Sequence, residues 1–144
     1  MDLLLICRDG LENSLLENLV LAMEAKKSGT DVGVLFTQEA LAIVSSINAP
    51  AWSPGLTGQI VRQQMSANAT AMELPTKGGK GEGKRIDALP LVSAASEAGV
   101  KMFASPIWVG ILGLHDKLPQ GIAEIDQATT IKMVSEAKTV IGTL

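Results

Sequence analysis

The sequence predicts an α/β domain built on a mainly parallel β-sheet of about five strands. Two observations carry this prediction: short, uniformly apolar runs such as Leu3–Ile6 and Val32–Phe36, and segments of helical periodicity that alternate with them. A strand buried on both faces is a continuous apolar run, and strands that alternate with helices form parallel sheets. The chain has 144 residues, the size of one domain, so we predict a single domain over residues 1–144.

The first fifty residues contain strand, helix, strand and helix in that order. Leu3–Ile6 is the first strand. The helix after it has apolar residues at i, i+1, i+4, i+5 and i+8, namely Leu15, Leu16, Leu19, Val20 and Met23. It ends in Lys26–Gly29, with cations and a glycine where helices favour them. Val32–Phe36 is the second strand, and Gln38–Ile47 is the second helix.

The middle of the chain is more weakly patterned. Prolines and a glycine make Ala49–Gly55 a loop, Gly58–Ala69 is predicted as a polar helix, and Ala71–Leu74 as a short third strand. The Gly- and Lys-rich segment at about 76–86 is centred on Lys77–Arg85, a run of four glycines and five charged residues that cannot pack in a core. We therefore predict a mobile surface loop there.

Regular structure returns in the last third of the chain. Gly99 is predicted to end a helix that has Pro90 in its first turn. The predicted elements are, in order, a helix over Leu89–Ala98, a strand over Val100–Ala104, a short helix or turn over Trp108–Leu114, a strand over Ile122–Ile125 and a closing helix over Gln127–Ile141.

Composition excludes several classes of function. Aromatic residues make up 3% of the chain and the formal charge is −3, so we expect no nucleic-acid partner. A single cysteine, Cys7, and a single histidine, His115, leave no disulfide and no Cys- or His-rich metal site, and we assign neither a metal nor a cofactor. No apolar run is long enough to cross a bilayer, so we expect no membrane association and a cytoplasmic location.

Three predicted strands end in residues that could meet a ligand. Cys7–Asp9, Thr37–Gln38 and Ser105–Pro106 each follow a strand, and ligands of open parallel sheets bind beyond the carboxyl ends of the strands. The residues we assign to this cleft are Arg8, Thr37, Pro106 and Trp108.

Familiar catalytic and nucleotide-binding motifs are incomplete. Gly78–Lys84 resembles a Walker loop, but Arg85 stands where a Ser or Thr is required, and the first strand has only Gly10 in place of G-x-G-x-x-G. Ser105 lacks the flanking glycines of a nucleophile elbow. These departures argue against a P-loop, a dinucleotide site and a serine hydrolase.

Cys7 has two readings. In the first, Cys7 is the last residue of a core strand and packs there as a small apolar residue. In the second, the thiol faces the cleft and is reactive, because Arg8 and the start of the following helix would lower its pKa. Trp52 and Trp108 likewise either line a ligand pocket or fill a core or an interface.

The run Leu91–Pro106, in which a helix ending in Gly-Val-Lys leads into a strand, resembles the DsrE/DsrF-like sulfur-relay family. The segment Ala25–Thr37, whose strand ends in Phe-Thr, resembles the same family. The resemblance covers roughly residues 1–48 and 88–144. It implies a three-layer α/β/α domain, flavodoxin-like in class, and assembly into homotrimers or hexamers. It also implies cytoplasmic persulfide transfer between sulfur-relay partner proteins.

The persulfide-carrying cysteine of that family falls on Ser105. A hydroxyl forms no persulfide, so either Cys7 substitutes for it or sulfur transfer is altered or lost. The alternative is a non-catalytic subunit that binds a small ligand or serves assembly. Ser105 also suits a simpler role, the N-cap of a short helix with Pro106 at its first position.

Overall fold

The structure, a computed structural model, describes residues 1–78 and 85–142. Seven strands lie in this part of the chain. They are β1 (Leu3–Cys7), β2 (Val32–Phe36), β3 (Thr76–Lys77), β4 (Arg85–Ile86), β5 (Lys101–Ala104), β6 (Ile122–Glu124) and β7 (Thr139–Gly142).

Six helices accompany the strands. They are α1 (Glu12–Lys27), α2 (Gln38–Val44), α3 (Gln59–Ala71), α4 (Pro90–Glu97), α5 (Pro106–Ile111) and α6 (Gln127–Glu136), with one 3-10 turn over Pro54–Leu56.

Five strands form one parallel sheet in the order β6-β5-β2-β1-β7, and β3 and β4 form a separate antiparallel ribbon. One row of partners crosses all five strands of the sheet. It consists of Ile122, Met102, Val34, Leu5 and Ile141. These side chains share a face and belong to the core, or pack against it, together with apolar residues of α1, α2 and α4.

The connections of the sheet reverse direction once. From β1 to β6 each connection steps to the next strand on one side, and the last connection, through α6, returns to the far side of β1. Parallel crossovers are right-handed, so α6 lies on the sheet face opposite α1, α2 and α4. The predicted three-layer α/β/α class, with a five-stranded parallel sheet, is therefore confirmed.

The prediction of a closing helix over Gln127–Ile141 is wrong in its last third. The helix ends at Glu136, and Thr139–Gly142 pair with β1 as an edge strand. The predicted strand over Ala71–Leu74 is also wrong. Helix α3 extends to Ala71 and closes with the amide of Leu74 donating to the carbonyl oxygen of Ala69.

The predicted loop at about 76–86 is framed by the β3-β4 ribbon, in which Lys77 pairs with Arg85. Residues 79–84, where the prediction of mobility falls, lie outside the described residues. None of the helices in the described ranges is both long and apolar enough to span a membrane.

Candidate functional site

The three strand ends singled out in the sequence lie on one edge of the sheet. Cys7 pairs with Phe36 and Phe36 with Ala104, which aligns the residues that follow them. The amide of Thr37 donates to the carbonyl oxygen of Cys7 at 3.0 Å, and the amide of Ser105 donates to that of Phe36 at 2.9 Å. Arg8, Thr37 and Ser105 therefore stand side by side, as predicted.

Ser105 occupies the N-cap position of α5, with Pro106 directly after it at the helix start. Its carbonyl oxygen accepts the amide of Val109 at 2.9 Å, but its hydroxyl makes no capping hydrogen bond. The connections after β5 and β6 lead to α5 and α6, and α6 lies on the opposite sheet face. Half-buried Ser105 therefore lies at a switch point of the sheet, the usual location of ligands in such folds.

Cys7 does not offer a reactive thiol at this edge. The side chain is fully buried in the core. Burial, aided by the negative charge of Asp9, raises the pKa of the Cys7 thiol from 9.0 to about 12. This shift is opposite to the lowering that Arg8 and the start of α1 would produce. The geometry assigns Cys7 to the core.

The remaining cleft residues have different surroundings. Arg8 is exposed and pairs with its neighbour Asp9 at 3.3 Å. Thr37 is half-buried, and Trp108 packs partly against the core. Gln38, directly after Thr37, adopts a left-handed backbone with φ of 53°, which costs a residue other than glycine roughly 1–2 kcal/mol.

A cavity of about 310 Å³ lies elsewhere, between the N-terminus of α1, the segment before α3, helix α3 and the β3-β4 ribbon. We call it the Trp52 cavity. Its lining residues used below are Glu12, Trp52, Arg62, Met65, Lys77, Arg85 and Ile86. None of Arg8, Thr37, Ser105, Pro106 and Trp108 lines it.

The segment before α3 is tied to α1 by backbone and side-chain bonds. Leu11 forms a parallel bridge with Ala51, and the amide of Glu12 donates to the carbonyl oxygen of Ala51 at 2.8 Å. The side-chain oxygen of Asn13 accepts the amide of Ser53 at 3.0 Å. These bonds hold Trp52 against the start of α1 and close one wall of the cavity.

Charges of both signs face the Trp52 cavity. The carboxylate of Glu12 is buried, and its Oε1 accepts the amide of Ala88 at 2.9 Å. Lys77 Nζ lies 3.4 Å from the carboxylate of Asp87. Within the described residues, Arg62 and Arg85 have no carboxylate partner in ion-pair range. The cavity can therefore attract an anion and also accept a hydrogen bond.

His115 lies in a separate, exposed cluster. Its Nδ1 is 2.6 Å from Glu124 Oε1, and its Nε2 is 3.3 Å from Asp116 Oδ2. The hydrogen bond to Glu124, followed by the charges of Asp116 and Glu124, raises the pKa of His115. The hydrogen bond from His115 in turn lowers the pKa of Glu124. The three groups satisfy one another, and the cluster links the turn after α5 to β6.

The sequence pointed to part of this arrangement. It named Trp52 as a pocket residue or a core or interface residue, and the structure places Trp52 in a cavity wall. It did not connect Glu12, Arg62 and Lys77, which are far apart along the chain. The one available signal was the set of basic residues in the weakly patterned middle segment.

No family model matches this chain, and no curated protein matches it either. The case for its function therefore comes from its own residues and geometry and from the resemblance in its sequence.

Proposed function

We propose that this chain is a DsrE-like protein that has lost persulfide transfer and binds a small ligand in the Trp52 cavity. The observation that carries the binding role is the cavity itself, whose volume of about 310 Å³ suits a small molecule. Its walls combine an indole, apolar side chains and a few polar groups, the usual composition of a ligand site. As the resemblance implies, we place the protein in the cytoplasm.

Two features support the loss of sulfur transfer. Ser105 offers an oxygen where the resembled family carries its persulfide. Cys7, the only thiol, is buried and has a pKa raised to about 12, so it is poorly suited to accept sulfur from another protein.

Incubation with glutathione persulfide, followed by intact-mass measurement, tests this part of the proposal. The wild-type protein should gain no sulfur. A Ser105→Cys variant should gain one sulfur atom if residue 105 occupies the sulfur-carrying position of a DsrE-like site. Ser93→Cys, at an exposed position on α4, is the matched control for sulfur uptake by any exposed thiol. A sulfur adduct on wild-type Cys7 would contradict the loss of transfer.

A second candidate role, homo-oligomeric assembly, is favoured by exposed apolar residues on two adjacent helices. Ile107 and Ile111 on α5 are 57% and 64% exposed, and Ile131 on α6 is 61% exposed. The two helices contact each other, and no residue of α6 is buried. Adjacent exposed apolar residues of this kind are typical of protein interfaces.

Light scattering coupled to size-exclusion chromatography tests the assembly role. We expect a trimer or hexamer that dissociates when Ile111→Glu and Ile131→Glu are combined. Ile60→Glu, at a 71% exposed position on α3, is the control and should leave the assembly intact. A wild-type monomer at high concentration would contradict this role.

Transfer partners from a sulfur relay would be expected only if the mass measurement shows sulfur uptake.

A further inference from the structure

We propose that the Trp52 cavity binds a small organic anion that carries a planar ring and an N–H donor. This inference rests on the proposed ligand-binding function and assigns the chemical class of the ligand.

The anion is assigned from the charges in the cavity wall. Three basic side chains, Arg62, Lys77 and Arg85, line a cavity in a chain whose formal charge is −3. Of the three, only Lys77 has a carboxylate neighbour within the described residues, Asp87 at 3.4 Å. Among the described residues, the guanidinium groups of Arg62 and Arg85 are thus left for a ligand, and the guanidinium fork matches the oxygens of a carboxylate or phosphate.

The planar ring is assigned from the apolar part of the wall. Trp52, Met65 and Ile86 line the same cavity as the two arginines. An indole stacks favourably on another flat ring, and a methionine sulfur also packs well against aromatic groups. The volume of about 310 Å³ lies at the small end of the usual range for ligand pockets, which favours a ligand of one or two rings.

The N–H donor is assigned from Glu12. This side chain is only 3% exposed, lines the cavity, and forms no ion pair with Arg62, Lys77 or Arg85 across the described part of the chain. Its observed hydrogen bond, from the amide of Ala88, uses Oε1. A carboxylate can accept up to about four hydrogen bonds, and a buried charge is stabilised by each donor that it gains. An amino or ring N–H of the ligand would be such a donor.

Isothermal titration calorimetry at low salt tests the assignment with matched compounds. The pairs are adenosine monophosphate with adenosine, and p-aminobenzoate with aniline, which differ by the acidic group. The acidic member should bind about tenfold more tightly or better, since its acidic group gains charge-assisted hydrogen bonds from the guanidinium groups. Arg62→Gln or Arg85→Gln should each weaken the acidic member by about tenfold or more, whereas Lys132→Gln, an exposed change on α6, should have no effect.

Two further measurements locate the ligand. In a Trp108→Phe background Trp52 is the only indole, and the acidic ligand should change its fluorescence. In the wild-type protein p-aminobenzoate should bind more tightly than benzoate, and Glu12→Gln should reduce that difference because it removes the charge of the acceptor.

The outcomes separate this inference from the proposed function. If the neutral members bind as tightly as the acidic ones, or if the arginine variants bind the acidic ones normally, the anion assignment is wrong. The cavity then stays a ligand site if Trp52 fluorescence responds to the bound compound, and the proposed binding role is also wrong if it does not. If neither these probes nor a wider set of neutral and cationic compounds binds, both the inference and the proposed binding role are overturned.

Discussion

A thiol reagent offered to the native protein should react with Cys7 very slowly. The pKa of the Cys7 thiol rises from 9.0 to about 12, which lowers the thiolate fraction at neutral pH about 1000-fold. A more basic thiolate is also more nucleophilic, by about 16- to 32-fold over three pKa units. The net effect of the pKa alone is a rate about 30- to 60-fold below that of an ordinary cysteine.

Burial slows the reaction further. The side chain has no exposed surface, so a reagent reaches the sulfur only when the protein opens locally or globally. We expect the rate with a disulfide reagent to fall well below the level set by the pKa and to recover fully in denaturant. A Cys7→Ala, Ser105→Cys protein provides the comparison, because residue 105 is half-buried at the start of α5 and should react quickly.

Absorbance of the released thiol measures both rates, in buffer and in denaturant. Native wild-type protein that reacts as fast as the denatured chain would refute the assignment of Cys7 to the core. It would also restore Cys7 as a candidate sulfur carrier.

Three other predictions concern single contacts. An NMR titration of the sole imidazole should give His115 a pKa above 6.5 that falls in Glu124→Gln. Stability from this pair is present between the lowered pKa of Glu124 and the raised pKa of His115, and it is lost as pH falls below the first or rises above the second. Gly10→Ala should lower the free energy of unfolding by about 1–3 kcal/mol, because the new Cβ would lie 2.8 Å from Glu39 Cβ. Gln38→Gly should raise it by up to about 1 kcal/mol, because its φ of 53° suits glycine and the strain released exceeds the extra entropy that glycine loses on folding. Denaturant unfolding measures the last two.

Matched changes serve as controls for these variants. Gly110→Ala places a Cβ in open space within α5 and should be neutral or slightly stabilising, by up to about 1 kcal/mol. Glu136→Gln should leave the imidazole titration unchanged. A Gly10→Ala protein as stable as wild type would show that α2 can shift away from this loop. A destabilised Gln38→Gly protein would show that the side chain of Gln38 contributes more to stability than its strained backbone costs.

The sheet was predictable because its signals are local. Val32–Phe36 is apolar throughout and is buried at every position, as a strand covered on both faces must be. The stop signals at Gly29 and Gly99 were equally reliable, since both residues adopt positive φ values that other residues avoid.

The last strand was not predictable from periodicity. Val140 and Ile141 continue the helical spacing of α6, so the sequence alone favoured one long helix. In the folded chain, Lys138 Nζ pairs with Asp2 at 2.6 Å and the amide of Thr139 donates to the carbonyl oxygen of Asp2. The two residues of the ion pair are 136 positions apart along the chain. These contacts direct the segment to the free edge of β1. Tertiary pairing thus overrides a helical pattern.

The candidate site was predictable only in part, for a related reason. The strand edge follows from topology, which places Arg8, Thr37 and Ser105 in one row wherever the strands are parallel. The Trp52 cavity depends on how an irregular segment folds back on α1, and the bonds that decide this, such as Asn13 to Ser53, join residues 40 positions apart. No short-range pattern encodes such contacts.

The loop between β1 and α1 links the strand edge to the Trp52 cavity. This link determines which substitutions can test the strand edge and the cavity separately. The carbonyl oxygen of Arg8 accepts the amide of Ala40 in α2, and Gly10 packs closely against that helix. Two residues later, Glu12 bonds to Ala51 and lines the cavity. A substitution in this loop would disturb both places together, so a loss of binding there would not locate the ligand. Changes at Arg62, on α3, leave the loop untouched and report on the cavity alone.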